Sequence, residues 1–209
     1  CGVAVAAGLD AAMLAARGYT GNPDIFEAPQ GYVDGLFDEG FVLDELLNYG
    51  PPFRVVDPGY AIKMFPSQYG THFAIAAGLD LHAKIADPAA IDSVAITGPE
   101  MFYIDRPQPA TGLAGKFSLQ YVTACALLDG RVTMTSFEDS RRFAPDMVAM
   151  LDRITLRLDG NIPARFDQMH VETTVTLKNG SGHTARCDGP RGRWGSPPIS
   201  EAEHLVKVR

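Results

Sequence analysis

The chain has 209 residues, of which 46% are hydrophobic and 21% charged, a balance that excludes an intrinsically disordered segment because enough apolar surface exists to offset the entropy of ordering. Eighteen Lys and Arg against 25 Asp and Glu give a formal charge of −7, with no basic stripe. A nucleic-acid backbone is therefore not the expected partner, although a local cationic site for a small anion stays open. No run of about 18 or more apolar residues suits a membrane span. The opening residues lack a basic secretory start. The three cysteines, Cys1, Cys125 and Cys187, match neither a zinc spacing nor a disulfide framework, which points to a cytoplasmic setting. Because the chain opens on Cys1 and runs at once into an Ala-rich helix, it is expected to be part of a longer protein.

Residues 3–17 predict a helix, with Leu9, Met13 and Ala16 spaced i, i+4, i+7 and only Asp10 and Arg17 charged. It should be buried nearly all round, and Gly18 should stop it. Asn22-Pro23 reads as a cap and first-turn pair for a short helix. Residues 31–47 carry further short helical pattern, with Phe37, Val42, Leu43, Leu46 and Leu47 as core candidates.

Composition changes at Pro51-Pro52, after which extended and helical patterns alternate. Residues 53–56 and 59–63 are extended candidates. A helix is expected over about 71–85, with Phe73, Ala76, Ala77 and Leu81 as its stripe. Residues 91–98 alternate as a strand, and a long helix fits 112–129, ended by Gly130. A further helix fits 145–152 and a strand 153–159. Residues 170–177 alternate again, and Asn179-Gly180 predicts a hairpin with a return strand at 182–187. The tail 189–198 reads as a loop, and Ser200 with Glu203 as the capping box of a last helix. The fold class is α+β: a mixed module of roughly 53–188 between helical flanks that belong to one helical domain.

Two segments could carry chemistry. In KMFPSQYGTH (63–72), Lys63 ends an extended stretch, Pro66 turns the chain, and Thr71 could cap a helix with His72 in its first turn. A helix N-terminus attracts anions and disfavours imidazolium, so Lys63 and a neutral basic His72 would suit a carboxylate. The alternative is a surface lysine and a capping histidine. In FSLQY (117–121), Ser118 and Tyr121 lie i and i+3 on a helix and could bind a carboxylate or pass a proton. The alternative is a core tyrosine with its hydroxyl satisfied. His82, His170, His183 and His204 share no metal-ligand spacing, no phosphate loop is present, and Cys125 fits a core position better than a nucleophile. Arg186, Arg191 and Arg193 could hold an anion but fit a solvated loop.

In order and spacing, AGLDAAMLAARGYTG (7–21), KMFPSQYGTH and its helix (63–81), GKFSLQYVTACALLDG (115–130), VETTVTLKNG (171–180) and GRWGSPPIS (192–200) resemble the later half of the MmgE/PrpD family. The family's activities include dehydration of 2-methylcitrate, decarboxylation of cis-aconitate and epimerisation of iminodisuccinate. The resemblance implies an α+β lid (53–188) inserted into an all-helical domain that is only partly present (1–50 and 189–209). It also implies a homodimer and chemistry without a metal or organic cofactor. The implied function is a dehydratase-type lyase on a small di- or tricarboxylate, with an isomerase, a decarboxylase or a non-catalytic binding fragment as alternatives. Lys63, Tyr121 and His72 fall at catalytic positions and Ser118 and Gln68 at substrate-binding ones. Gln68 stands where the decarboxylase branch has a catalytic His.

Overall fold

In the computed structural model, residues 2–37, 41–42, 44–48 and 50–208 are described. They divide into two units, 1–53 and 54–209.

The second unit is built on four strands: β1 (Ile91–Gly98), β2 (Ile154–Leu158), β3 (Val171–Leu177) and β4 (Gly182–Cys187). Their order is β2-β1-β3-β4, with β1 parallel to β2 and antiparallel to β3, which pairs antiparallel with β4. The unit is thus a mixed domain of helices and strands on a four-stranded mixed sheet. The hairpin lies where Asn179-Gly180 placed it. Gly180 takes the left-handed φ of +83°, and Val171 through Thr176 pair with Cys187 through Gly182 in unbroken register. Alternation on β3 buries Val171, Thr173 and Val175. On β1 the buried residues are Ile91, Val94, Ile96 and Gly98, and the three-residue step from Ile91 to Val94 coincides with an irregularity in pairing between Ile91 and Ser93.

For the helices, α1 is Gly2–Ala16, α2 Tyr32–Leu36, α3 Asp44–Leu47, α4 Thr71–His82, α5 Leu119–Asp129, α6 Asp139–Arg142, α7 Pro145–Leu151 and α8 Glu201–Val208. α4 packs on β3 and β4, α5 on β2, and the two helices pack on each other. Their contact is close because Gly78 is small: a Cβ there would lie 2.8 Å from that of Ala126. Every residue of α5 from Leu119 to Leu127 is buried. The stripe of α4 buries Phe73, Ala77 and Leu81 and leaves Ala76 partly covered.

Several expectations change. The helix expected over 112–129 is two elements, a 3-10 turn at Leu113–Phe117 and then α5, divided at Ser118. Ser118 is extended and its Oγ accepts the Tyr121 N–H at 2.9 Å, so the hydroxyl starts a new helix rather than continuing one. Gly130 ends α5 at φ +62°, as expected, with the His82 ring seated where a Cβ would project. Residues 53–56 and 59–63 are not strands. The chain turns through Asp57-Pro58-Gly59, the Gly59 N–H donates back to the Arg54 carbonyl at 3.2 Å, and Ile62 makes one backbone bond to Gly192 instead of a ladder. Ser200 and Glu203 form the expected capping box, each accepting the other's amide, at 3.3 and 2.8 Å.

In the first unit α1 forms as expected and stops at Gly18, φ +91°. Tyr19 N–H bonds the Leu14 carbonyl and Gly18 N–H that of Ala15, a Schellman ending. Its expected burial is corrected: no residue of α1 is buried, and Val3 and Leu9 are 86% and 60% exposed. Among the described residues of this unit no second layer of helices covers it. Asn22 caps a turn, its side chain accepting the Asp24 N–H, but no helix follows. Phe37 and Val42 are exposed rather than core. Leu43 and the side chains of Leu46 and Leu47 lie outside the described residues.

Candidate functional site

The loop 63–70 leads from an irregular segment into α4, and its backbone explains why it holds one shape. Gln68 N–H donates to the Lys116 carbonyl at 3.0 Å, Thr71 N–H to the Gln68 carbonyl and His72 N–H to the Tyr69 carbonyl, both also at 3.0 Å. Thr71 Oγ1 lies 2.7 Å from the Gln68 carbonyl and 2.9 Å from Ser67 Oγ. The cap of α4 is Gly70, without a side-chain bond, and not Thr71 as expected. Because the Thr71 and His72 amides are used by this turn, they do not face outward as an anion hole.

This loop forms one wall of a cavity of about 1020 Å³. The 3-10 turn ending at Phe117 supplies Lys116 and Phe117, and the segment after α5 supplies Gly130 to Thr135. Loop and turn are joined by the Gln68–Lys116 backbone bond. Among the described residues three cationic side chains line the cavity: Lys63, Lys116 and Arg131. Lys63 Nζ donates to the Ser67 carbonyl at 3.1 Å, and Lys116 Nζ sits 5.5 Å from the centre of the Phe137 ring. Among the described residues the one lining carboxylate, Glu203, is held by Arg191 at 2.7 Å. That pairing, with the Ser200 N–H, lowers its pKa to about 2. The cavity is thus locally positive in a chain whose formal charge is −7.

Of the residues singled out from sequence, Lys63 and Gln68 line this cavity together and the other three do not. His72 is fully buried, its ring centroid 5.2 Å from those of Phe65 and of Tyr69, so it supports the loop from inside instead of opening to solvent. Ser118 is fully buried and its hydroxyl donates to the Arg106 carbonyl at 2.6 Å while capping α5. Tyr121 is fully buried too, and its hydroxyl donates to the Ser136 carbonyl at 2.5 Å. Burial raises its pKa far above the usual tyrosine value. Tyr121 and Lys63 therefore do not share a cavity, and Ser118, which caps α5 instead of sharing a helix face with Tyr121 as expected, is buried in the core with it.

A different phenol lies beside the loop. Tyr103 Oη accepts a hydrogen bond from Gln68 Nε2 at 3.2 Å, and Tyr103 is 49% exposed. Sequence reasoning passed over Tyr103, Lys116 and Arg131. For Tyr103 a signal existed in the polar flank YIDR (103–106), which argues against a wholly core role.

Burial, and then Asp129, push the Cys125 thiol up to about 12, which keeps it a neutral core group as expected. The tail arginines are engaged, Arg186 with Asp188, Arg191 with Glu203, and Arg193 with the carbonyls of Asp167 and Asp188. Among the described residues no group of three or more His, Cys, Asp and Glu side chains could hold a metal ion. No helix among them is long and apolar enough to cross a membrane.

Comparison with known proteins gives a consistent result. The family model described as MmgE/PrpD C-terminal domain matches residues 65–209. Cis-aconitate decarboxylase of Mus musculus is 28% identical over 210 residues, covering 97% of this chain and 42% of its own length. The Homo sapiens cis-aconitate decarboxylase is 29% identical over 212 residues, with 97% and 43% covered. The 2-methylcitrate dehydratase of Cupriavidus necator is 28% identical over 192 residues, with 81% and 37% covered. The chain spans about two-fifths of the length of these curated relatives, which by name are enzymes acting on small carboxylates.

Proposed function

Because the chain belongs to the MmgE/PrpD family, we propose that it forms part of a cofactor-independent lyase of the dehydratase type, acting on a small di- or tricarboxylate such as 2-methylcitrate. In this reading 53–188 is a lid inserted into a helical domain to which 1–50 and 189–209 contribute, in a cytoplasmic homodimer. The observation that carries it is the cationic cavity of Lys63, Lys116 and Arg131 in an acidic chain.

Removing a proton next to a carboxylate places more negative charge on an already anionic substrate. Fixed cations that meet this charge as it develops lower the barrier. The proton passes to a base, the C–H pair becomes the new C=C bond, and the β C–O bond breaks with release of hydroxide. Lys63 is assigned to the substrate carboxylate, with Gln68 and Tyr103 as hydrogen-bonding groups beside it. His72, Ser118 and Tyr121 are assigned to holding these elements in place. The test is turnover of 2-methylcitrate by the natural protein. Lys63→Ala should lower kcat about 100-fold or more, and unchanged turnover removes Lys63 from the mechanism. Tyr121→Phe should leave KM unchanged and cost about 1–2 kcal/mol of stability by stranding the Ser136 carbonyl; a raised KM with unchanged stability would instead return Tyr121 to the substrate.

A decarboxylase is the second reading, favoured by the cis-aconitate decarboxylases that align over 97% of the chain. Gln68, in place of that branch's catalytic His, weighs against it. Release of CO₂ from cis-aconitate separates the two, and solvent deuterium exchange without elimination would identify an epimerase.

A further inference from the structure

Several arginines of this unit outside the cavity lining are already neutralised or engaged. Arg141 is held by Asp129 and Asp146, both at 2.9 Å, and Arg191 by Glu203. Arg142 donates to the Pro109 carbonyl and to Gln108. Lys116 and Arg131 differ. Among the described residues neither makes an ion pair, and Arg131 makes no side-chain hydrogen bond, yet both face one cavity with Lys63. They arrive from separate elements: Lys116 from the 3-10 turn before Ser118, and Arg131 from just past the left-handed Gly130 that ends α5. Among the described residues the only lining carboxylate is committed to Arg191 and does not neutralise them. The rest of the lining includes Met64, Phe65, Phe117 and Met134. A cation in this lining can hold a guest carboxylate through a charge-assisted bond.

We propose that Lys116 and Arg131 form a second carboxylate subsite, separate from Lys63, which selects substrates with two or more carboxylates over monocarboxylates. This rests on the carboxylate-lyase reading above and adds the residues that count the charges. The planar guanidinium of Arg131 can hold one carboxylate through two parallel N–H bonds, and the Lys116 ammonium provides a compact charge beside it.

The experiment is binding of two probes to the natural protein: tricarballylate, with three carboxylates, by calorimetry, and butyrate, with one, by NMR titration. Lys116→Gln and Arg131→Gln should each weaken tricarballylate about tenfold or more and change butyrate less than about twofold. Arg131→Lys should recover part of the loss, since it restores charge without the planar fork. Wild-type thermal stability in each variant would show that folding is not the cause. If both Gln variants bind tricarballylate like wild type while Lys63→Ala weakens it, the subsite is wrong and the lyase reading stands. If butyrate weakens as much as tricarballylate, the effect is not a count of carboxylates and the subsite is again overturned. If wild-type protein binds neither probe, the subsite and the lyase reading fall together.

Discussion

α1 and α5 are both apolar nearly all round, and they end in opposite environments. α5 is buried from Leu119 to Leu127, between α4, α7 and the sheet, whereas no residue of α1 is buried. An apolar surface on every side of a helix records that it needs cover. It does not record whether the same stretch of chain supplies that cover. For α5 the cover comes from elements within about 60 residues on either side. For α1 the described residues of its unit supply none.

The largest effect that could break this contrast is a matched pair of truncations. Phe73→Ala, in α4 against α5, should destabilise by about 3–5 kcal/mol, because the side chain is fully buried. Leu9→Ala in α1 should stay within about 0.5 kcal/mol. Denaturant unfolding of both variants measures the difference, and equal costs would mean that α1 is packed after all. Next in size is Gly78→Val. A Cβ at Gly78 already meets Ala126 at 2.8 Å, so α4 and α5 must separate, at about 1–3 kcal/mol. A stability equal to wild type would mean the helices are not in contact there.

These contrasts also mark how much the sequence could disclose. The hairpin and its return strand are legible because alternation and the Asn179-Gly180 turn are local signals, each with a single geometric solution. The capping box of α8 is local in the same way. The division at Ser118 was not legible, since LAGKFSLQY continues a helical pattern across the point where the Ser118 hydroxyl takes the Tyr121 amide. Spacing likewise does not say that Ser118 stands before the helix as its cap, or that both it and Tyr121 meet the core instead of solvent. Lys63 and Gln68 stood out because Pro66 marks their turn. Lys116 and Arg131 did not, because the cavity draws them from distant stretches that only tertiary packing brings together.

The smallest expected effect concerns pH. The Glu203 pKa is lowered to about 2 by Arg191 and Ser200. A depressed carboxylate contributes stability that is fully present above its unfolded pKa and is lost as pH falls through the folded one. The start of α8 should therefore loosen as pH drops from about 4.5 towards about 2. Amide exchange at Ser200 and Glu203 follows it, and protection that does not change over this range would show that the capping box holds without the charge.

Arg191 never needs to touch a guest to decide which guests are admitted. By tying up the acid that lines the wall among the described residues, it removes a repulsive charge and leaves the lysines and Arg131 to set the sign of the chamber. Replacing it with a neutral residue would set that acid free, so that a position remote from any reacting atom would lower the chamber's attraction for organic acids.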